Sequence, residues 1–232
     1  MKNLIKINSL TYILILLFLL GGYFKYLCMI LIIMCVHELG HIFFMVIFKR
    51  KITNIYILPT GGLTFIDSYI STPIKEDILI ALGGVFFQSL FGLMFSLSGD
   101  FYYYNRLIIL FNLLPIYPLD GFNFFRLILE VFMPFKASLK LSMVISLIFT
   151  IILFKSFNFN ILMFLFLIVM QYKEYKSHKY LLNRFYLERL NNLFTFKKIK
   201  HINKISSMYK NKTNILNGED EHTFLKQYFY NH

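Results

Sequence analysis

Residues 26–48 read YLCMILIIMCVHELGHIFFMVIF, a continuous apolar run with His37, Glu38 and His41 near its centre. The run is long enough to cross a bilayer as one helix. Helix positions four residues apart lie about 40° from each other around the axis, so His37 and His41 share a face and Glu38 lies beside them. This spacing lets two imidazoles bind one Zn²⁺ ion, with the carboxylate next to the metal's open position. The stretch therefore predicts a metal site inside a membrane span.

The composition of the whole chain favours a membrane protein. Its 232 residues are 57% hydrophobic and 19% aromatic, which is more apolar surface than a soluble domain of this size can bury. The net charge of +12 does not indicate nucleic acid as a partner, because 12 of the 24 Lys and Arg residues follow Gln171. Such basic ends are typical of cytoplasmic membrane edges, where they attract the anionic lipid bilayer. Cys28 and Cys35 lie in the apolar run and are predicted to be packed thiols rather than a disulfide.

Hydropathy and loop charge predict an all-α polytopic membrane protein with about six transmembrane helices. The predicted spans are residues 10–24, 26–48, 78–97, a broken span over 106–133, 141–154 and 161–172. Gly83, Gly84 and Gly92 in the third span predict close helix packing. Lys and Arg concentrate on the side that holds both chain ends, which predicts an integral, multi-pass protein with both termini cytoplasmic.

The remaining segments predict a small membrane-associated β-hairpin and a short cytoplasmic C-terminal region. Two β-prone runs flank a Pro/Gly turn at residues 59–62, which indicates a hairpin, with an ordinary interfacial loop as the alternative. We expect residues 1–172 to form a transmembrane domain that contains the metal site and residues 173–232 a basic tail. In that tail, residues 180–194 predict an amphipathic helix and residues 221–230 a last helix.

A catalytic zinc needs a third protein ligand beside two histidines. Asp120 is the candidate: it lies in the broken span at a depth comparable with His37, and the surrounding prolines would let its carboxylate turn inward. An ion pair with Arg126 is the alternative role for Asp120. Glu38 is the candidate general base. Asn112 is a candidate donor to a developing oxyanion, or a cap on the broken helix.

The motifs together resemble a known family. HExxH in one span, followed in a later span by N-x-x-P-x-x-x-x-D-G, resembles the site-2 protease family of intramembrane zinc metalloproteases. The string FNLLPIYPLDG at residues 111–121 and the six-span order are most similar to the family's sporulation proteases, over about residues 1–195. The resemblance implies one Zn²⁺ ion held by His37, His41 and Asp120, with Glu38 catalytic.

The same resemblance implies a set of partners. These are a membrane-associated protein substrate, in particular a pro-sigma factor processed during sporulation, and membrane-protein inhibitors that restrain cleavage. Because a protease holds its substrate extended, the predicted hairpin suggests docking by strand addition along Ile55, Tyr56, Ile57 and Leu58.

Two features depart from the family. Its third span usually carries Gly-Pro followed by Asn, whereas here Val85 follows Gly84 and Gln88 stands where the Asn is expected. Substrate contacts in that span are therefore not carried over. Sporulation members often end in a nucleotide-sensing CBS domain. The residues after Gln171 are short for one, and residues 217–229 are interpreted as part of a shortened CBS-like remnant.

Three other functions stay open at this point. The first is a catalytically silent membrane scaffold of the same fold, and the second is a site-2 protease that cuts anti-sigma factors or signal peptides. The third is a transporter or channel in which His37, Glu38 and Asp120 line an ion path.

Overall fold

A computed structural model of the chain describes residues 5–7, 9–50, 52–58, 61–66, 70–95, 99–156, 161–192, 194, 196–216 and 218–230. This part of the protein is mostly helical. Its helices are α1 (Ser9–Leu20), α2 (Phe24–Ile47), α3 (Ile74–Met94), α4 (Gly99–Asn112), α5 (Asp120–Phe132), α6 (Phe135–Ser156), α7 (Ile161–Asn191) and α8 (Glu221–Tyr230). Its strands are β1 (Ile5–Ile7), β2 (Ile52–Leu58), β3 (Gly61–Ile66), β4 (Ile199–Ile202), β5 (Thr213–Leu216) and β6 (Glu219–Asp220).

The chain divides into two compact units. The first comprises Met1–Ser68 and Ile78–Leu114, and the second comprises Tyr69–Asp77 and Pro115–His232. The predicted division into residues 1–172 and 173–232 follows hydropathy rather than packing, and it stays a prediction.

Three helices in the described part of the chain are long and apolar enough to cross a membrane: Phe24–Ile47, Ile74–Met94 and Phe135–Lys155. A shorter apolar helix covers Thr11–Leu20. Large apolar side chains such as Leu31, Phe43 and Leu93 are exposed on these helices. A helix that is apolar on every face suits hydrocarbon, because nothing on it needs water. The prediction of six crossings goes beyond these three helices and stays a prediction.

In the first unit, helices α2 and α3 approach closely at two glycines. A Cβ atom on Gly40 would collide with the carbonyl oxygen of Gly83, and one on Gly83 would lie 2.6 Å from the carbonyl oxygen of Gly40. Small residues permit this backbone contact in membrane helices, where van der Waals packing replaces the hydrophobic effect. The predicted close packing at Gly83 is confirmed, and it brings α3 against the histidine-bearing face of α2.

The first unit also contains a three-stranded sheet in the order β1-β2-β3. β2 and β3 pair antiparallel, with Leu58 opposite Gly61, so the predicted hairpin is confirmed. Residues 59 and 60 of its turn lie outside the described residues. β1, which the sequence pattern does not predict, pairs parallel with β2 and places Ile5 opposite Ile55 and Ile7 opposite Ile57.

This pairing corrects the predicted docking of a substrate along Ile55, Tyr56, Ile57 and Leu58. Strand addition needs an edge whose N–H and C=O groups are unpaired. Ile55, Tyr56 and Ile57 pair with β1 on one side and with β3 on the other. β2 is therefore the central strand of this sheet rather than an edge, because β1 occupies the side that the local sequence leaves open.

The predicted broken span is two helices. α4 ends at Asn112 and α5 begins at Asp120, and the residues between them include Pro115 and Pro118. Proline removes a backbone donor and clashes with a continuing helix, so the interruption falls where the sequence predicts it. α4 begins at Gly99, seven residues before the predicted start at Arg106, and carries Asp100 in its first turn, where a carboxylate is favoured.

In the second unit, α7 corrects one prediction. Instead of a span ending near Tyr172 and a separate helix over residues 180–194, one helix runs over Ile161–Asn191. At 1.5 Å per residue, its 31 residues extend about 46 Å. The segment between the two predicted helices, KEYKSHK at residues 173–179, is rich in Lys but contains neither Gly nor Pro. These residues are more polar than those before them, but they are not helix breakers, so the helix continues through them.

The end of the chain folds against α6 and α7. β4 and β5 pair parallel, β5 and β6 pair antiparallel, and α8 has the predicted bounds Glu221–Tyr230. The buried core of this region contains Phe135 and Leu139 of α6, Phe185 and Tyr186 of α7, and Ile202, Met208, Leu216 and Leu225. The C-terminal region is therefore packed onto helices of its own unit.

A buried arginine joins several of these elements. The fully buried guanidinium of Arg189 donates to Glu221 at 2.9 Å, to the Ser71 hydroxyl at 3.1 Å and to the carbonyl oxygens of Tyr209 and Lys210. Burial lowers the pKa of Arg189, and the Glu221 carboxylate opposes that shift. A paired, fully bonded arginine at this position fixes α7, α8 and the segment near Ser71 to one another.

Candidate metal centre

His37 and His41 lie one helical turn apart on the buried face of α2. Both side chains are buried, and their rings are inclined at 76° with centroids 4.9 Å apart. The Nε2 atoms of the two rings are 3.2 Å apart. The predicted sharing of one helix face is confirmed, because the two ring nitrogens converge on one point.

The outer ring nitrogens of both histidines contact oxygen acceptors. His37 Nδ1 lies 2.9 Å from Gln88 Oε1, and His41 Nδ1 lies 2.7 Å from the carbonyl oxygen of Ile80. The Gln88 amide cannot be reversed without loss, because its Nε2 donates to the carbonyl oxygen of Asn105 at 3.0 Å. Each Nδ1 must therefore carry the proton, which leaves the Nε2 lone pair of each ring as an acceptor.

This donor set fits a zinc ion. Two Nε2 lone pairs that face each other at 3.2 Å cannot form a hydrogen bond when both protons are on Nδ1. The two facing lone pairs repel each other, and a cation bound between them would offset that repulsion. Two imidazole nitrogens bound to tetrahedral zinc at 2.0–2.1 Å would be about 3.3 Å apart, close to the observed separation.

Gly84 of α3 leaves open the space beside both nitrogens. A Cβ atom at Gly84 would lie 2.5 Å from His37 Nε2 and 2.6 Å from His41 Nε2. Real Cβ atoms do not approach other atoms so closely, so a side chain here would displace the imidazoles. The glycine therefore keeps a cradle next to the two nitrogens that any larger residue would fill.

Asp120, in the second unit, is the third predicted ligand. It is half-buried and is the first residue of α5, where the unpaired N–H groups of a helix N-terminus favour a carboxylate. One ligand atom each from His37, His41 and Asp120 lies within 4.8 Å of the others, so these residues could hold a metal ion. Arg126, the alternative partner considered for Asp120, lies 3.5 Å from Glu130 on the next turn.

The other predicted site residues have simpler placements. Glu38 lies next to the histidine pair on α2 and is half-buried. Asn112 is a buried residue at the last position of α4, immediately before the break. Gln88, which stands where the family has Asn, is a residue of this site that the sequence reasoning does not assign to it. The pair Gly83-Gly84 signals that α3 can approach the HELGH turn closely, but it does not identify Gln88 as the side chain that contacts His37.

Known proteins resemble this chain in sequence. Residues 25–105 match the model described as Peptidase family M50. The chain is 31% identical over 203 residues to "Stage IV sporulation protein FB" of Bacillus subtilis (strain 168), covering 80% of this chain and 70% of that protein. It is 28% identical over 145 residues to "Zinc metalloprotease MJ0392" of Methanocaldococcus jannaschii, covering 56% of this chain and 42% of that protein.

A solved structure shows the same fold. "Site-2 Protease from Methanocaldococcus jannaschii" superposes with a TM-score of 0.57 at 23% identity, covering 73% of this chain and 89% of that chain.

Proposed function

The chain belongs to peptidase family M50, the site-2 proteases, and on that premise we propose that it cuts a membrane-associated protein with one zinc ion held by His37, His41 and Asp120. It is an intramembrane zinc metalloendopeptidase by family. The observation that carries the ligand assignment is the pair of Nε2 lone pairs 3.2 Å apart, each fixed by an outer hydrogen bond at Nδ1. Asp120 supplies the third ligand, which a catalytic zinc site needs beside one open position.

Glu38 is the general base and acid in this proposal. Zinc in such a site supplies a Lewis acid that makes water nucleophilic near neutral pH and polarises the carbonyl under attack. Glu38 accepts the proton of the attacking water and passes it to the amide nitrogen of the departing peptide. Positioned proton transfer of this kind contributes about 10²–10⁴-fold to the rate. A helix places Glu38 next to both imidazoles with no loop motion needed.

Asn112 is proposed to donate a hydrogen bond to the oxyanion that forms on the substrate carbonyl. Asn112 is buried and lies where α4 ends, and both features support this role. A fixed amide donor shielded from water can stabilise the negative charge that develops on the substrate oxygen. The alternative, capping of the broken helix, predicts lower stability of an Asn112→Ala variant with unchanged turnover. Reduced turnover at unchanged stability supports the catalytic role.

For substrate docking, we propose the outer side of β3 rather than β2. Within the described strands of this sheet, β3 pairs on one side, with β2. An extended substrate could add there as a further strand. A Thr64→Pro substitution removes a backbone donor from β3 and should lower cleavage without removing zinc, whereas unchanged cleavage refutes the docking.

The substrate proposed is a pro-sigma factor cut during sporulation, with membrane-protein inhibitors that restrain the reaction. The likeness to Stage IV sporulation protein FB over most of both chains supports this choice. Another site-2 protease function, on anti-sigma factors or signal peptides, is the first alternative. A silent scaffold is the second, and the intact Glu38 with its three candidate ligands argues against it.

We further propose six membrane crossings with both termini cytoplasmic. The three long apolar helices and the shorter apolar helix Thr11–Leu20 support several crossings, and the clustering of Lys and Arg supports the orientation. Residues 173–232 would then form the cytoplasmic tail. Labelling of single cysteines placed at each predicted loop, from one side of sealed vesicles, tests this topology.

Cleavage on a gel tests the function. The full chain is co-expressed with a membrane-tethered pro-sigma factor, an anti-sigma factor or a signal-peptide precursor, with Glu38→Gln as the matched control. A shortened pro-sigma factor that requires Glu38 supports the proposal. Cleavage of one of the other two substrates alone supports the first alternative. A zinc-loaded protein that cuts none of them supports the scaffold.

A further inference from the structure

The fully buried Gln88 joins the candidate metal site to a third helix. Its Oε1 accepts from His37 Nδ1 at 2.9 Å, and its Nε2 donates to the Asn105 carbonyl oxygen at 3.0 Å. Gln88 lies on α3, His37 on α2 and Asn105 on α4. The two bonds use both ends of one amide, so α4 determines which end of the amide faces the histidine.

We infer that Gln88 is a positioning residue, which holds His37 in the tautomer and ring orientation that present Nε2 to zinc. An inverted amide would place the Gln88 NH₂ group against the N–H of His37 Nδ1, so two donors would oppose each other. It would also place Gln88 Oε1 against the Asn105 carbonyl oxygen, so two acceptors would oppose each other and both hydrogen bonds would be lost. The amide thus fixes the proton on Nδ1. Acceptors of this kind make a bound imidazole more basic and typically change metal affinity 10–100-fold when removed.

The tautomer and ring orientation of His41 are not set by a side chain. Its Nδ1 contacts the backbone carbonyl oxygen of Ile80, which no substitution removes. The two ligands of α2 are therefore oriented by α3 in two ways, one through backbone and one through the Gln88 side chain. Of these two contacts, the Gln88 amide is the one that sequence change can tune.

Helix packing alone is the competing explanation of a buried glutamine in a membrane helix. Polar side chains in such helices often form interhelical hydrogen bonds that only hold the helices together. That role predicts a loss of stability when Gln88 is replaced, but no change in zinc affinity for the protein that remains folded. Zinc affinity and the spectrum of a bound metal therefore separate the two explanations.

The test measures zinc affinity by chelator competition on the full-length protein in detergent. Gln88→Met keeps length and removes the acceptor, and Gln88→Glu keeps an acceptor for His37 while losing the donor to Asn105. Gln171→Met is the matched control, because Gln171 is also a fully buried glutamine and bonds Thr150 in the second unit at 2.6 Å. Cobalt(II) replaces zinc in parallel samples, so that its visible absorption spectrum reports ligand geometry.

The inference predicts that Gln88→Met weakens zinc binding by about 10–100-fold and shifts the cobalt spectrum. The zinc affinity of Gln88→Glu should stay within about threefold of wild type, because the new carboxyl oxygen can still accept from His37. The zinc affinity of Gln171→Met should also stay within about threefold, because Gln88 is unchanged in that variant. Equal zinc affinity and equal spectra in wild type and Gln88→Met overturn the inference, as does an equal loss in Gln88→Glu and Gln88→Met.

A second measurement needs no variant. In wild-type protein labelled with ¹⁵N at histidine and loaded with zinc, NMR should show a proton on Nδ1 of His37. A deprotonated Nδ1 overturns the inference even when Gln88→Met does not fold. The inference rests on the proposed zinc site, and wild-type protein that binds no zinc refutes that site itself. Wild-type protein that binds zinc while Gln88→Met binds it equally refutes the positioning role alone.

Discussion

Gly84→Ala should weaken zinc binding strongly while leaving the helices folded. The added Cβ would lie 2.5 Å from His37 Nε2 and 2.6 Å from His41 Nε2, whereas an ordinary contact begins near 3.4 Å. The two rings would have to retreat by about 0.9 Å, several times the tolerance of about 0.2 Å in metal–ligand distances. We expect at least a 100-fold loss of zinc affinity, equivalent to about 2.8 kcal/mol.

Chelator competition in detergent measures that affinity, and circular dichroism of the metal-free protein checks that the variant is folded. Ser89→Ala, at an exposed position of the same helix, is the control for a change to alanine. Alanine is a better helix former than glycine by about 1 kcal/mol, so the helix itself should not suffer. Wild-type zinc affinity in Gly84→Ala would refute the reasoning, because it would mean that the metal does not occupy the space beside these nitrogens.

Three further predictions follow from other parts of the structure. Glu38→Gln should keep its zinc and lose cleavage by about 10²–10⁴-fold, measured by substrate conversion on a gel; comparable turnover would exclude Glu38 as the base. Gly83→Ala should unfold the protein at lower temperature, since its Cβ would lie 2.6 Å from the carbonyl oxygen of Gly40, and a thermal melt unaffected by the change would contradict this. Arg189→Met should destabilise the C-terminal region by about 3–5 kcal/mol, because Glu221 would keep a buried charge without its cation. Limited proteolysis should then cut this region faster than in wild type, and a variant as resistant to the protease as wild type would argue against the prediction.

The local part of the site could be predicted from the sequence. The four-residue spacing of His37 and His41 in an unbroken apolar run fixes their common face, because helix geometry alone determines it. The prolines before Asp120 likewise mark the end of one helix and the start of another. In both places the information lies within a dozen residues, and α2 and the break before α5 follow the prediction.

Contacts between distant segments could not be predicted in the same way. The three residues of β1 carry no signal for their parallel partner in β2, so the sequence does not predict the central place of β2, which the proposed docking along that strand did not take into account. The role of Gln88 depends on how closely α3 approaches α2. The glycines at 83 and 84 permit that approach, but they do not state which side chain will then face His37.

The C-terminal region shows the same limit from another direction. Its hydropathy falls after Gln171, and a new helix was predicted beyond the change, although α7 continues through it. A change from apolar to polar residues indicates where a segment leaves the apolar environment. The end of a helix is indicated instead by glycine, proline or a capping residue. The parallel pairing of β4 with β5 spans an intervening turn and was not signalled by either strand alone.

The most direct test of the account is the zinc content of Asp120→Ala beside wild-type protein, measured by elemental analysis after dialysis against buffered free zinc. The account predicts about one ion per wild-type chain and at least a 100-fold weaker affinity in the variant, since one of three protein ligands is lost. An Asp120→Ala protein that holds zinc as tightly as wild type would contradict the claim that His37, His41 and Asp120 bind one ion together.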